Sequence, residues 1–334
     1  MVKLMSKKAV ITGVGKYVPD KILTNYDLEK MVDTSDEWIK QRTGIEKRHI
    51  AADEQPTSDL ALRAAKEALA DAELSGEKLD LIIVATVTPD MAFPATACLI
   101  QDKLGAKNAA AFDLEAGCSG FVYALSVGSQ FIESGQYENV LIIGAETLSK
   151  IVNWKDRGTC ILFGDGAGAA VLQAGDEGGI LATHLGSDGS GGNTLYQEAG
   201  GSLHPACENT VANNMHTISM EGNKVFRFAV KKMGSASMKV LKEAGLKPED
   251  VDFFVPHQAN TRIISAAAKR LKLDEDNVIV NLPEYGNTSS ASVPIALAEA
   301  VENKRIKDGD ILVLVAFGAG LTWASAVLEW KQGG

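Results

Sequence analysis

The sequence predicts a layered α/β fold built from two similar halves, and three observations carry that prediction. Strand-like apolar runs alternate with helical patterns along the whole chain. The same order of elements occurs twice, at nearly the same spacing. And 334 residues, 46% of them hydrophobic, suffice to bury a core between two halves.

In the first half, taken as 1–174, periodicity predicts a helix over 58–72 and a buried strand over 78–84. A short strand over 110–114, a turn, a helix over 118–134 and strands over 140–144 and 169–172 follow. Gly175-Asp176-Glu177-Gly178-Gly179 is a turn-rich break that separates the halves. In the second half, 175–334, a helix over 224–244 leads to a strand over 250–255. Then come a strand over 278–282, a turn, a helix from about 287 to 301 and a strand over 311–315. Cys118 lies 38 positions after Asp80, and Asn287 lies 35 after Asp252, so the two helix starts correspond. Two parallel βαβ halves need both sheet faces covered, which predicts an α/β/α/β/α layering. The stretch 195–216, with three Asn and two Gly, reads as a long loop or insertion.

A formal net charge of −10 argues against a nucleic-acid binder, since phosphate contact needs positive charge. No apolar run approaches a membrane span, and the opening segment 1–8 has no apolar stretch of a leader. Four cysteines far apart, with no C-x-x-C pair, argue against a metal site or disulfide framework and fit the reducing cytosol.

Cys118, flanked by Gly117, Ser119 and Gly120, opens a helix, where the positive end of the dipole favours a thiolate. Cys98, Cys160 and Cys207 read as small buried hydrophobes. His257 follows its strand directly, at the end where α/β folds place chemistry; His49, His184, His204 and His216 read as structural. Asn287 taken alone is an ordinary helix cap, but its match to Cys118 puts both helix starts at one cavity. Phe163-Gly164-Asp165-Gly166-Ala167-Gly168 leads into a strand, and Gly13-Val14-Gly15 into no helix, so neither reads as a nucleotide loop.

Several motifs together resemble the β-ketoacyl-acyl carrier protein synthase III family of the thiolase superfamily, almost end to end. They include Asp33-Thr34-Ser35-Asp36-Glu37-Trp38-Ile39, Gly117-Cys118-Ser119-Gly120-Phe121, Pro256-His257-Gln258-Ala259-Asn260, Gly286-Asn287-Thr288-Ser289 and Leu321-Thr322-Trp323. The resemblance implies a thiolase fold and a catalytic set of Cys118, His257 and Asn287, with acyl transfer from acyl-CoA to Cys118. Condensation with malonyl-acyl carrier protein would follow, with CoA as substrate and no cofactor. It further implies oxyanion donors at the Cys118 and Ala319 N–H groups. CoA contacts fall at Trp38 and Arg157 (an adenine sandwich), Arg42, Thr34, Gly222 and Asn260. Phe317 and Phe93 would border the acyl pocket, Phe93 reaching the partner subunit of a homodimer. The chain departs from the family at Ala319 and Ala324, each standing where glycine is usual. Ala319 is expected to tolerate a positive φ poorly, and both are read as tuning acyl-chain size. Trp38 also reads as a staple on a helix capped by Thr34 and Glu37.

An acidic carrier protein needs a basic docking face. Lys224, Arg227 and Lys231 recur at helical spacing, as do Arg262 and Lys269 with Arg270 adjacent. With Gln258, Ala259, Asn260 and Thr261, these form the expected carrier-binding rim. Two further enzyme readings stay open: a related CoA-dependent condensing enzyme of secondary metabolism, and a Cys–His acyl hydrolase with Asn287 orienting His257. A non-catalytic acyl-binding protein, with Cys118 inert, is a third.

Overall fold

The computed structural model describes residues 7–331; most of the segment 1–8 read above as lacking a leader lies outside them. The first sheet comprises β1 (Lys8–Tyr17), β2 (Leu81–Ala85), β3 (Ala110–Leu114), β4 (Asn139–Glu146) and β5 (Gly166–Gly175), in the order β1-β5-β4-β2-β3. The second comprises β6 (Gly179–Ser187), β7 (Phe253–Pro256), β8 (Ile311–Gly318) and β9 (Thr322–Glu329), in the order β7-β8-β9-β6. Both sheets are mixed rather than wholly parallel. Strand β2 runs parallel to β3 and β4, while β5 is antiparallel to β1 and β4; β7 is parallel to β8, while β9 is antiparallel to β8 and β6. The apolar runs revealed the central strands, but hairpin-like returns such as β8 to β9 carry no parallel signature.

The strand expected over 278–282 does not form. Only Val278 bridges Phe254, in parallel. The backbone then turns away because the Asn281 and Leu282 N–H groups donate to Gln258 Oε1. Pro283 sits in the first turn of the short helix Leu282–Tyr285, where its missing N–H costs nothing.

Helices fill the remaining layers. The helix α1 (Thr57–Asp71) buries Leu60, Ala64 and Ala68 against the outer face of the first sheet. Between the sheets lie α2 (Gly120–Glu133) and α5 (Ser292–Glu302), whose Phe121, Leu125, Val293 and Leu297 join one cluster with Ile83, Ile142, Leu312 and Leu314. The far face carries α3 (Gly222–Glu243) and α4 (Thr261–Leu271), with Met233 and Ile264 packed on Val313 and Val315. This is the expected α/β/α/β/α order. Burying a single Leu or Phe side chain contributes about 2 kcal/mol, so the two-sided middle layer dominates cohesion. The halves meet closely at Gly144, where any Cβ would overlap the Ser290 carbonyl.

The stretch 195–216 is not structureless. Leu195–Gln197 pairs with Ile218–Met220, and Glu208–Ala212 forms a helical turn. Its capping Cys207 and polar turns gave no period to read.

Candidate active site

Cys118 lies in a single 3-10 turn, Gly117–Ser119, that leads into α2. Ser289–Ala291 forms a matching 3-10 turn that leads into α5. Glu115, Gly117, Cys118, Ser289, Ala319 and Thr322 line one cavity of about 470 Å³. Its remaining wall is largely apolar, from Val87, Leu148, Ile151, Phe163, Leu195 and Ile218. An acyl chain suits such a wall.

The thiol of Cys118 is buried, and burial pushes its pKa up to about 12, with the Glu146 and Glu115 carboxylates adding to the rise. Ser289 opposes it by hydrogen-bonding the sulfur. Burial therefore opposes the thiolate that the helix start favours.

Asn287 is anchored by its backbone, which donates to Leu162 O and accepts from Gly164 N. Its Oδ1 accepts the Ser289 N–H at 2.9 Å, so the amide NH2 is the end left to donate. Here the capping role and a donor role coexist. Ser289 holds this geometry at φ +49°.

His257 is buried, and burial alone pulls its pKa down to about 3. Its Nδ1 lies 2.6 Å from Ser292 Oγ, which also receives the Gln258 N–H at 3.4 Å. Where the Ser292 hydroxyl donates to Nδ1, the ring proton sits on Nε2. Phe317 meets the ring edge-on at 5.2 Å; it supports His257 and does not line the cavity. Beside Phe317, Gly318 backs onto Cys118, where a Cβ would overlap the Cys118 amide. The second sheet thus brings His257 toward the cysteine turn through Phe317 and Gly318.

The N–H groups of Cys118 and Ala319 donate to no backbone carbonyl among the described residues. Ala319 is not strained: the positive φ values of this loop fall at Gly320 (+70°) and Leu321 (+46°). The expected φ penalty is thereby corrected, and what alanine adds is a methyl at the cavity wall. Ala324 is buried in β9, within the middle layer, away from the cavity.

The Arg157 guanidinium sits 5.0 Å over the ring of Trp38, on the helix Asp36–Thr43, and that of Arg42 5.3 Å from it. Arg157 also donates to Asp33 O at 2.8 Å. A base between Trp38 and Arg157 needs about 7 Å, two van der Waals layers, so the slot is closed here. The helix bearing Trp38, Asp36–Thr43, is capped by Ser35, whose Oγ accepts from Trp38 N. The expected Thr34 cap is one residue off, and the buried Thr34 Oγ1 has no partner. Asn260 caps α4 and donates to Arg42 O. Gly222 opens α3 and is exposed.

The basic side chains Arg227, Lys231, Arg262, Lys269 and Arg270 are exposed on α3 and α4. Ala259 and Thr261 are half-buried. Gln258 does not belong to that rim. It is buried, and its side chain is spent on Pro256 O, Ile279 O and the 281–282 turn. Phe93 is 85% exposed and outside the cavity.

Three residues of this centre escaped the sequence reading: Glu146, Ser289 and Ser292. Glu146 is fully buried and accepts from Val87 N and the Thr88, Ser289 and Ser290 hydroxyls. Its signal was available, as a carboxylate closing an otherwise apolar buried strand.

Comparison with known proteins agrees with this geometry. Family profiles described as 3-oxoacyl-[acyl-carrier-protein (ACP)] synthase III and its C-terminal region match residues 112–189 and 241–330. The chain is 64% identical to β-ketoacyl-[acyl-carrier-protein] synthase III of Caldanaerobacter subterraneus subsp. tengcongensis, over 97% of this chain and 98% of that protein. The crystal structure of 3-oxoacyl-[acyl-carrier-protein] synthase III from Aquifex aeolicus VF5 superposes with a TM-score of 0.89 at 49% identity, covering 96% and 100% of the two chains. The priming β-ketosynthase of the R1128 polyketide pathway gives 0.91 at 35% identity, covering 98% of each chain. The chain belongs to the β-ketoacyl-acyl carrier protein synthase III family, condensing acyltransferases of fatty acid synthesis.

Proposed function

We propose that this condensing enzyme joins a short acyl group from CoA to malonyl-acyl carrier protein through an acyl-Cys118 intermediate. The observation that carries the reading is the meeting of two helix starts at one cavity, lined by Cys118 from one and Ser289 from the other. One bears the thiol, and the other follows Asn287, which stands behind the lining with its amide donor end free. Cys118 attacks the acyl-CoA thioester and becomes the acyl carrier. The Cys118 and Ala319 N–H groups, free of backbone acceptors, donate to the oxyanion.

Malonyl-acyl carrier protein then enters. The Asn287 amide and the Nε2–H of His257 donate to its thioester carbonyl, stabilising the enolate as CO2 departs. A neutral, Nε2-protonated imidazole suits a donor in this step, and Ser292 fixes that tautomer. The enolate carbon attacks the acyl-Cys118 carbonyl, and the β-ketoacyl product leaves on the carrier. This reaction draws on no cofactor beyond its CoA substrate.

Trp38, Arg157 and Arg42 form the CoA adenine and phosphate site, with Thr34, Gly222 and Asn260 along the approach. Arg157 swings off the indole when the base enters. The exposed face of Arg227, Arg262, Lys269 and Arg270 takes the acidic carrier. A homodimer is supported by the strongly exposed Phe93 and by β3, an open edge strand of the first sheet. Four free cysteines fit a reducing cytosol, and no helix of the described residues is long and apolar enough to cross a membrane.

A priming role in a polyketide pathway is the second reading, favoured by the R1128 likeness but at lower identity. Product analysis with purified malonyl-acyl carrier protein decides: the account expects a β-ketoacyl-carrier two carbons longer than the primer. Free fatty acid instead would mark a hydrolase.

A further inference from the structure

The amides read above as oxyanion donors belong to different turns. Cys118 lies in the turn Gly117–Ser119, and Ala319 in the turn Ala319–Leu321 that joins β8 to β9. The turns touch at their glycines. A Cβ on Gly318 would overlap the Cys118 nitrogen, and one on Gly117 would overlap the Ala319 nitrogen. The second turn is also strained, because Leu321 holds φ +46° without being glycine. Such a conformation persists only where its surroundings over-determine it.

Here they do so at several points. The Asp188 N–H donates to Leu321 O at 3.1 Å, and the Leu321 side chain lies over Gly191, where a Cβ would overlap it. The remaining tie is the hydroxyl of Thr322, which opens β9 and lines the cavity with Cys118 and Ala319. Its Oγ1 lies 2.8 Å from Ala116 O, 3.1 Å from Ala319 O and 2.7 Å from Ser119 Oγ. Ser119 Oγ is itself 2.7 Å from Ala116 O. Each hydroxyl has a single hydrogen to donate. If that of Thr322 goes to Ala116 O, the bond crosses between the turns directly. If it goes to Ala319 O, the close approach of Ser119 needs the Ser119 hydrogen between the two hydroxyl oxygens, and that bond crosses instead. Either placement fastens the Ala319 turn to the cysteine turn through Thr322.

We propose that Thr322 is a positioning residue whose hydroxyl locks the turn Ala319–Leu321 against the cysteine turn, so that the Cys118 and Ala319 N–H groups point at one oxygen. The inference rests on the acyl-Cys118 reading above and on its oxyanion donors. That oxyanion arises when sulfur attacks the acyl-CoA carbonyl and again when the enolate attacks acyl-Cys118. Loss of the hydroxyl therefore slows both steps at saturation and leaves acyl-CoA binding unchanged.

The test is rapid-quench acylation of Cys118 over a range of acetyl-CoA concentrations, read by intact mass, in wild type, Thr322→Val and Thr322→Ser, with melting curves for each. Valine keeps the shape and loses the hydroxyl; serine keeps the hydroxyl. Removing an oxyanion donor outright costs about 10² to 10³-fold, so a donor present but poorly aimed should cost roughly tenfold. The expected result is a saturating rate about tenfold lower in Thr322→Val, half-saturation within about twofold of wild type, and a wild-type rate in Thr322→Ser. Thr322→Ala repeats the deletion if valine disturbs the fold. A folded valine or alanine variant at the wild-type rate, equal losses in valine and serine, or a change in half-saturation alone overturns the positioning role. Ala319→Pro, which deletes the amide hydrogen itself, separates this role from its premise. A wild-type rate there removes the Ala319 donor, whereas a loss there beside a fully active Thr322→Val removes only the tie. A wild type that takes up no acyl group at all overturns instead the acyl-Cys118 reading.

Discussion

In the first half, the 3-10 turn Gly117–Ser119 delivers one reactive atom, the Cys118 sulfur, into α2. In the second half, Ser289–Ala291 leads into α5 and delivers no nucleophile; Asn287, Ser289 and Ser292 there hold an amide, a hydroxyl and an imidazole in fixed directions. The cysteine turn is tied through Glu115, Ser119 and Thr322 to its own backbone and to β9, while the asparagine turn is tied to Glu146 and His257. Two copies of one backbone device have been divided between carrying the acyl group and holding donors toward it. Replacing a residue in each turn should therefore fail in different half-reactions.

The largest separation is expected at Asn287. Asn287→Ala should cut condensation by about 10² to 10³-fold, the usual loss for one oxyanion-type donor, and leave acyl transfer to Cys118 within about threefold. Comparable losses in both half-reactions would erase the division. Ser292→Ala comes next, at roughly tenfold in condensation, because an imidazole without its Nδ1 partner loses its preferred tautomer and about 1 kcal/mol of hydrogen bonding. Since burial holds His257 neutral, the condensation rate should show no histidine step between about pH 5 and 8; an inflection near the ordinary histidine pKa would contradict the donor assignment.

Smaller effects sharpen the comparison at its edges. Reversing Arg262 and Lys269 to Glu should raise KM for the carrier substrate about tenfold, more at low salt, and spare acylation by CoA. Equal loss in both steps would remove the docking face. Ala319→Gly should shift the preference between isobutyryl- and acetyl-CoA only several-fold, the scale of one methyl group in a pocket. No shift would mean that this methyl does not touch the primer.

The division between the turns also explains what the sequence made legible. Strand cores such as Leu81–Ala85 are unbroken apolar runs, and Cys118, His257 and Asn287 sit at element ends, so period and position revealed them. Strand direction did not show, because antiparallel returns look like any apolar run. The edge position at Val278 was misread since the residues after it, Asn281 and Leu282, are drawn off by Gln258, a contact 23 and 24 residues away in sequence. Gln258 itself was assigned to the surface through its motif neighbours, whereas buried backbone groups claim its side chain. Ser289 meets Glu146 across the two halves and Ser292 meets His257 35 residues away, and no local pattern encodes such partners; Glu146 alone had a local signal, as a carboxylate closing an apolar strand. Burial likewise opposes the expected thiolate at Cys118, since a helix start is visible in sequence and the desolvation around it is not.

The most direct test of the central claim is intact-mass measurement after incubation with acetyl-CoA and, separately, isobutyryl-CoA, for wild type and Cys118→Ser. The account predicts one acyl increment on wild type with at least one primer and none on Cys118→Ser. No increment on wild type with either, or an equal increment on the variant, would contradict Cys118 as the acyl carrier.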